Sequence, residues 1–355
     1  MITLHKELET VKSLASRLPR PAKIMEVCGT HTMAVFQAGL QALLPENLSL
    51  LAGPGCPVCV TPTRYLDKAL AMARQPDTVI TTFGDMLRVP GSAGSLETAR
   101  ADGCDIRVVY SPADALELAR RSPGIRVIFL GVGFETTVPA VAWTIREADR
   151  TGVTNYLVLS GHKTMPNAMS SLLHDPELAV DGFLCPGHVS AIIGASPYAP
   201  LSEHYGSPCV IAGFQPQDIV VALRLLLSQL VAGEARVEIQ YTRAVTWEGN
   251  KAAQAMINTV FEGSDAEWRG IGTIPESGLT IKDEFAGHDA ERVFCNIQIP
   301  PAREVSSCRC GDVLKGICAP PDCPLFEKHC TPSNPVGPCM VSSEGTCAAY
   351  YKFTT

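Results

Sequence analysis

The chain has 355 residues, 46% of them apolar, and a formal net charge of −7. That length supports two domains and a small third one, and acidic charge spread without long runs offers no footprint for nucleic acid. No stretch approaches the roughly 18 uninterrupted apolar residues of a membrane span. The opening MITLHKELETVKSLASRLPRP lacks a signal-peptide core, so the expectation is a cytoplasmic protein without a membrane segment.

The first 21 residues read as a short amphipathic helix. From there to about residue 232 one grammar repeats: a short apolar run, a loop rich in Gly, Pro, His or Cys, and often a helical stretch. The predicted strands are Ile24–Val27, Leu48–Leu51, Thr78–Thr82, Ile106–Tyr110, Val127–Leu130, Tyr156–Leu159, Gly182–Leu184 and Val210–Ala212. Their apolar runs lack strict alternation, as expected of strands buried on both faces of parallel sheets. Asp218–Val231 carries Leu and Val at helical spacing. The fold class is therefore α/β, with two layers of four strands each and a boundary near residue 150. Beyond residue 233 the pattern loosens to strand-like pieces at Arg236–Tyr241 and Val293–Ile299 and a Gly-rich stretch around Trp268–Gly278.

In open parallel sheets ligands sit beyond the carboxyl ends of the strands, and the polar and cysteine motifs fall there. In Glu26-Val27-Cys28-Gly29-Thr30-His31-Thr32, Cys28 follows a strand and precedes a helix N-terminus, where backbone N–H groups favour thiolate. His31, three residues on, can share its face as hydrogen-bond partner or proton donor. Cys28 is a candidate nucleophile or soft metal ligand; the alternative is a buried structural cysteine. Gly53-Pro54-Gly55-Cys56-Pro57-Val58-Cys59 holds a C-x-x-C pair that reads as redox-active or as an inert loop. Glu135, in Gly131-Val132-Gly133-Phe134-Glu135, and His162 and His188, in Gly161-His162-Lys163 and Pro186-Gly187-His188, also stand at strand ends. A single strand-end His is often structural; several polar motifs at one set of ends suggest a shared site.

Seven of the fourteen cysteines crowd into the tail: Cys308, Cys310, Cys318, Cys323, Cys330, Cys339 and Cys347. In a reducing compartment such density points to metal or redox chemistry rather than permanent bridges. Apart from the Cys308–Cys310 pair the spacings are wide for a zinc knuckle, and Cys-Pro neighbours suit iron–sulfur ligands. Residue chemistry ranks an iron–sulfur cluster above zinc, and zinc above disulfides.

The set EVCGTHT, GPGCPVCVTP, GFETT, PGHVS, CRCGDVLKG, CPLF, CTP and PVGPCMVSSEGTCAAYY resembles the HypD family of hydrogenase formation proteins across nearly the full length. The resemblance implies two Rossmann-like parallel-sheet α/β domains facing a cleft (1–150 and 151–300) and a small C-terminal iron–sulfur domain (301–355). It implies a scaffold for the Fe(CN)2CO unit of [NiFe]-hydrogenases, working with a HypC-type chaperone, with HypE (and HypF) as cyanide donor, and serving the hydrogenase large subunit through HypC. The family's C-x14-C-x6-C-x16-C arrangement falls on Cys308, Cys323, Cys330 and Cys347 as [4Fe-4S] ligands, leaving Cys310 and Cys339 as a redox pair. Cys28 takes the iron-holding position. Cys56 and Cys59 take the C-x-x-C position, while His31, Glu135 and His188 are candidate proton-handling groups. Cys104, Cys185, Cys209, Cys295 and Cys318 receive no role. A different class, an iron–sulfur-dependent disulfide reductase, and a blander one, a zinc-stapled binding protein, remain open on the residues alone.

Overall fold

A computed structural model describes residues 4–175 and 178–354. Eleven strands are present among them: β1 (Ala22–Glu26), β2 (Leu48–Ala52), β3 (Thr78–Thr82), β4 (Ile106–Val108), β5 (Arg126–Gly131), β6 (Tyr156–Ser160), β7 (Gly182–Pro186), β8 (Cys209–Ala212), β9 (Val237–Ile239), β10 (Phe261–Trp268) and β11 (Gly272–Ile281). They form a five-stranded parallel sheet, β2-β1-β7-β8-β9, a four-stranded parallel sheet, β4-β3-β5-β6, and the antiparallel hairpin β10-β11.

All eight strands predicted up to residue 212 are present, and Arg236–Tyr241 contains a ninth. The division at residue 150 is not how the chain distributes itself. β1 and β2 leave their sheet, residues 78–160 build the four-stranded sheet, and the chain returns through β7–β9. The five-stranded sheet is thus discontinuous in sequence, because β1 pairs with the next strand, β2, on one side and with the distant β7 on the other, Met25 lying between Leu51 and Phe183. Val293–Ile299 is not a strand. Ala290–Val293 is a short helix, and Phe294 and Ile297 pack singly on the main core with no partner strand. The Gly-rich stretch is the turn of the β10-β11 hairpin together with most of β11, which is tied to the β6 end through Lys163 and Gly278.

Strand alternation explains the continuous apolar runs. In β1, Met25 points into the core shared by both sheets, while Ile24 points outward beneath the helices α1 (Leu4–Ala15) and Pro216–Ala232. In β5, Ile128 and Leu130 face that shared core, and Val127 and Phe129 face the outer layer. Both faces are covered, so both must be apolar. One buried cluster accordingly runs through both lobes and includes Cys56, Cys59, Cys185, Cys209, Cys310 and Cys339. The tail has only short helices and a small core of Cys323, Phe326, Cys330 and Met340. Its last helix, Thr346–Phe353, lies against α2 (Gly29–Gln37), where Tyr350 meets the Phe36 ring edge-on at 4.6 Å.

Candidate functional site

Cys28 occupies the turn between β1 and α2 in extended conformation (φ −151°) and is 7% exposed. Its carbonyl accepts the N–H groups of His31 and Thr32 at 3.0 and 3.2 Å, which starts the helix. The helix N-terminus predicted a lowered thiol pKa. Burial outweighs it, and the thiol is pushed up to about 11, with the nearby Glu344 charge adding to the rise and hydrogen bonds from the turn opposing it.

The C-x-x-C loop lies directly against this turn. Gly29 donates to the Gly55 carbonyl at 3.0 Å, and a Cβ on Gly55 would stand 2.2 Å from the Cys28 nitrogen. Only glycine permits that approach. The tail closes the other side. Thr30 donates to Glu344 Oε1 at 2.6 Å, and a Cβ on Gly29 would meet the Glu344 carbonyl oxygen at 2.5 Å.

His31 is fully buried, and its Nε2 lies 3.2 and 3.1 Å from the carbonyl oxygens of Ala212 and Gly213. Carbonyls only accept, so Nε2 carries the proton and Nδ1, which has no partner, presents a lone pair. Burial lowers the ring's pKa to about 4, so it is neutral near pH 7. The side chain therefore offers an acceptor at Nδ1; of the two roles the sequence offered, hydrogen-bond partner or proton donor, this tautomer suits the first. The Phe214 ring packs against both histidines, 5.0 Å from His31 and 3.9 Å from His188. His188 is lowered by partial burial, with Glu344 opposing. Glu26 ends β1 with Oε2 accepting from Thr32 at 2.9 Å and Oε1 unpartnered; burial raises it to about 7.

Cys56 accepts the Cys59 N–H at 3.3 Å and donates its thiol to Ser342 Oγ at 3.3 Å. Cys59, wholly buried, is also within hydrogen-bond reach of Cys339. Cys339 and Cys310 sulfurs are 3.0 Å apart, and these two reach Cys347 and Cys308 respectively. A continuous line of thiols thus runs from the C-x-x-C loop into the tail. There Cys308, Cys310, Cys323, Cys330, Cys339 and Cys347 line one small pocket with Phe326 and Met340. Among the described residues no group of three or more His, Cys, Asp or Glu side chains is arranged to hold a single metal ion.

Not every strand-end residue joins this group. Glu135 sits at the end of β5 in the other lobe, with Oε1 accepting from the Met165 N–H at 2.9 Å, Oε2 unpartnered, and burial raising it to about 7. His162 is buried beside Ser160 and Phe261, its pKa lowered to about 3 by burial and by Lys163. Cys185 and Cys209 are buried against each other on β7 and β8; Cys318 does not line the tail pocket. Sequence reasoning missed Glu344, Ser342 and Phe214. The stretch PVGPCMVSSEGTCAAYY was noticed for its cysteines, and its Ser and Glu carry no local signal for a contact 314 positions away.

This is a two-lobed α/β protein in which two strand-end cysteine motifs and a cysteine-lined tail pocket meet at one place. The family model described as "Hydrogenase formation hypA family" (HypD) matches residues 3–354. The chain is 47% identical to the hydrogenase expression/formation protein HupD of Azotobacter chroococcum mcd 1, over 97% of this chain and 94% of that one. It is 48% identical to the hydrogenase maturation factor HypD of Cupriavidus necator (93% and 89% covered) and 44% identical to that of Escherichia coli strain K12 (97% and 92%). The chain belongs to the HypD family. No helix among the described residues is long and apolar enough to cross a membrane.

Proposed function

We propose that this protein is a hydrogenase maturation factor, the scaffold on which the Fe(CN)2CO unit of a [NiFe]-hydrogenase is assembled. The observation that carries the reading is the junction itself: the Cys28 turn, the Cys56/Cys59 loop and the tail are in contact, through Gly29, Gly55, Thr30 and Glu344. Low-spin iron bearing cyanide and carbonyl is a soft centre suited to thiolate. Cys28 holds this cargo iron, a HypC-type partner supplies a second thiolate, and HypE, working with HypF, delivers cyanide. The finished unit passes to the hydrogenase large subunit through HypC.

Binding iron displaces the Cys28 proton, and a thiol pushed up by burial gives it up only to a metal that binds sulfur strongly. The His31 Nδ1 lone pair, buried and unpartnered one turn along α2, is an acceptor suited to orienting a protonated group there. Phe214 fixes both rings. Glu135 lies apart and enters as a proton-handling group of the facing lobe.

The tail pocket supports a resident [4Fe-4S] cluster. Its wall is sulfur and apolar carbon, and the four cysteines at the family spacing, Cys308, Cys323, Cys330 and Cys347, all line it. Those four would hold the cluster, which when bound supplies one-electron redox chemistry. Cys310 and Cys339 form the thiol pair beside it, and Cys59 joins that pair to Cys56.

Infrared absorption of anaerobically purified protein, alone and with its small partner, tests the reading. Bands of metal-bound cyanide and carbonyl are expected and disappear in Cys28→Ala. The line of thiols also favours a second reading, an iron–sulfur-dependent disulfide reductase. Iron–sulfur absorption without any such infrared band in either preparation would select it.

A further inference from the structure

We propose that Ser342 and Asp85 carry the proton of the Cys56 thiol out of the protein, an inference that rests on the dithiol role given above to Cys56 and Cys59. Cys56 is 4% exposed, so little of it meets water. Its thiol donates to Ser342 Oγ at 3.3 Å. The Ser342 hydroxyl donates to Asp85 Oδ2 at 3.4 Å, and Asp85 is exposed. The Glu344 N–H donates to the same Ser342 oxygen at 3.2 Å. A serine hydroxyl has one proton to give and two lone pairs. With Cys56 and Glu344 filling the lone pairs, the serine's own proton points to Asp85. The two donors of the line, the Cys56 thiol and the Ser342 hydroxyl, are therefore aligned in one sense, from buried sulfur to exposed carboxylate. The line also crosses three parts of the molecule. Cys56 belongs to the loop after β2, Ser342 to the tail, and Asp85 to the turn after β3 in the four-stranded lobe.

With a small disulfide as oxidant the step balances as follows. The Cys56 S–H bond breaks; its proton passes to Ser342 Oγ while the Ser342 proton passes to the Asp85 carboxylate. The thiolate attacks one sulfur of the reagent, forming a mixed disulfide and releasing one reagent thiolate. Cys59 then displaces the second reagent thiolate, which leaves with the Cys59 proton, and the Cys56–Cys59 bond closes. The dithiol loses two electrons, and the reagent becomes two thiols. Ser342 and Asp85 touch neither reagent nor iron, so they are positioning and relay residues for Cys56.

The test uses the full-length, anaerobically purified and reduced protein with 2,2′-dithiodipyridine, following the Cys56 and Cys59 peptides by mass spectrometry after acid quench. Ser342→Ala and Asp85→Asn are each expected to slow modification of Cys56 by roughly 100-fold, and the double variant no further than either alone. Ser342→Thr, which keeps the hydroxyl, restores the rate. Ser343 also donates to Asp85, at 3.3 Å, whereas the Cys56 thiol bonds Ser342. Ser343→Ala therefore leaves the rate unchanged, whereas a purely structural clasp at Asp85 would suffer in both variants. Should Ser342→Ala fail to fold, the exposed Asp85→Asn carries the test. A Cys56–Cys59 disulfide that forms at the wild-type rate in Asp85→Asn overturns the relay and leaves the dithiol role standing. No disulfide in the wild-type protein overturns both.

Discussion

The paired sheets and the tail hold themselves together by different means. In the lobes, strands covered on both faces bury Ile24, Met25, Ile128, Phe129, Phe183 and Leu184 completely, and apolar burial alone accounts for their order. In the tail, two of the four core residues are the sulfurs of Cys323 and Cys330, and the helices run to five residues or fewer until Thr346–Phe353. A region so poor in carbon packing would gain stability from a cluster bound by its cysteines, as the proposed function has it. On that proposal one part of the molecule is a frame, and the other is a cluster-dependent cap seated against the Cys28 turn.

The largest expected effect separates cargo from cap. Cys28→Ala loses every infrared band of bound cyanide and carbonyl while the iron–sulfur absorption of the tail is retained; loss of both would show that the cap depends on the cargo site. Next, Cys323→Ala removes the iron and sulfide of the tail and makes residues beyond about 305 sensitive to protease, with the lobes still resistant. An unchanged iron–sulfide content sinks that ligand assignment. A lesion in the frame should do the reverse: Leu223, wholly buried in the helix Pro216–Ala232, cut back to Ala costs about 3 kcal/mol in denaturant unfolding and leaves tail iron unchanged. If the iron falls with it, the two regions are one cooperative unit.

The smallest effect is set by pH. Glu135 is held above the ordinary carboxylate range, at about 7, by burial. A carboxyl whose folded pKa is raised contributes its full stability below its unfolded pKa and loses it as pH rises through the folded value. Glu135→Gln is therefore expected to match wild type near pH 4 and to be more stable at pH 8, by roughly 3 kcal/mol at most. Denaturation midpoints at both pH values check it; parallel curves would place the carboxyl in contact with solvent.

The strands were legible because burial on both faces writes itself as apolar runs, and Cys28, Cys56 and Cys59 because thiols at strand ends are conspicuous. Pairing was not legible. Ala22–Glu26 pairs with the next strand, Leu48–Ala52, on one side, and nothing in it announces that its other neighbour is Gly182–Pro186. Val293–Ile299 misled because Phe294 and Ile297 are anchored one at a time, which mimics a strand in composition. Which nitrogen of His31 carries the proton was not legible, since the Ala212 and Gly213 carbonyls that hold it come from β8 and the loop after it. The tail's contributions, Glu344 to the Cys28 turn and Ser342 to the Cys56 loop, were invisible because they are made by ordinary polar residues across most of the chain.

That last contact has a bearing on synthesis. Glu344 follows Thr30 by 314 positions, so the Cys28 turn leaves the ribosome long before its cover exists. At about 5–20 residues per second the delay is on the order of tens of seconds. For the first part of that interval, until Gly182–Pro186 is made, β1 and β2 also lack β7, and the sheet that presents Cys28 is incomplete. The geometry around this cysteine is thus a late event in the life of the nascent chain, and translation itself keeps the site from forming on an unfinished protein.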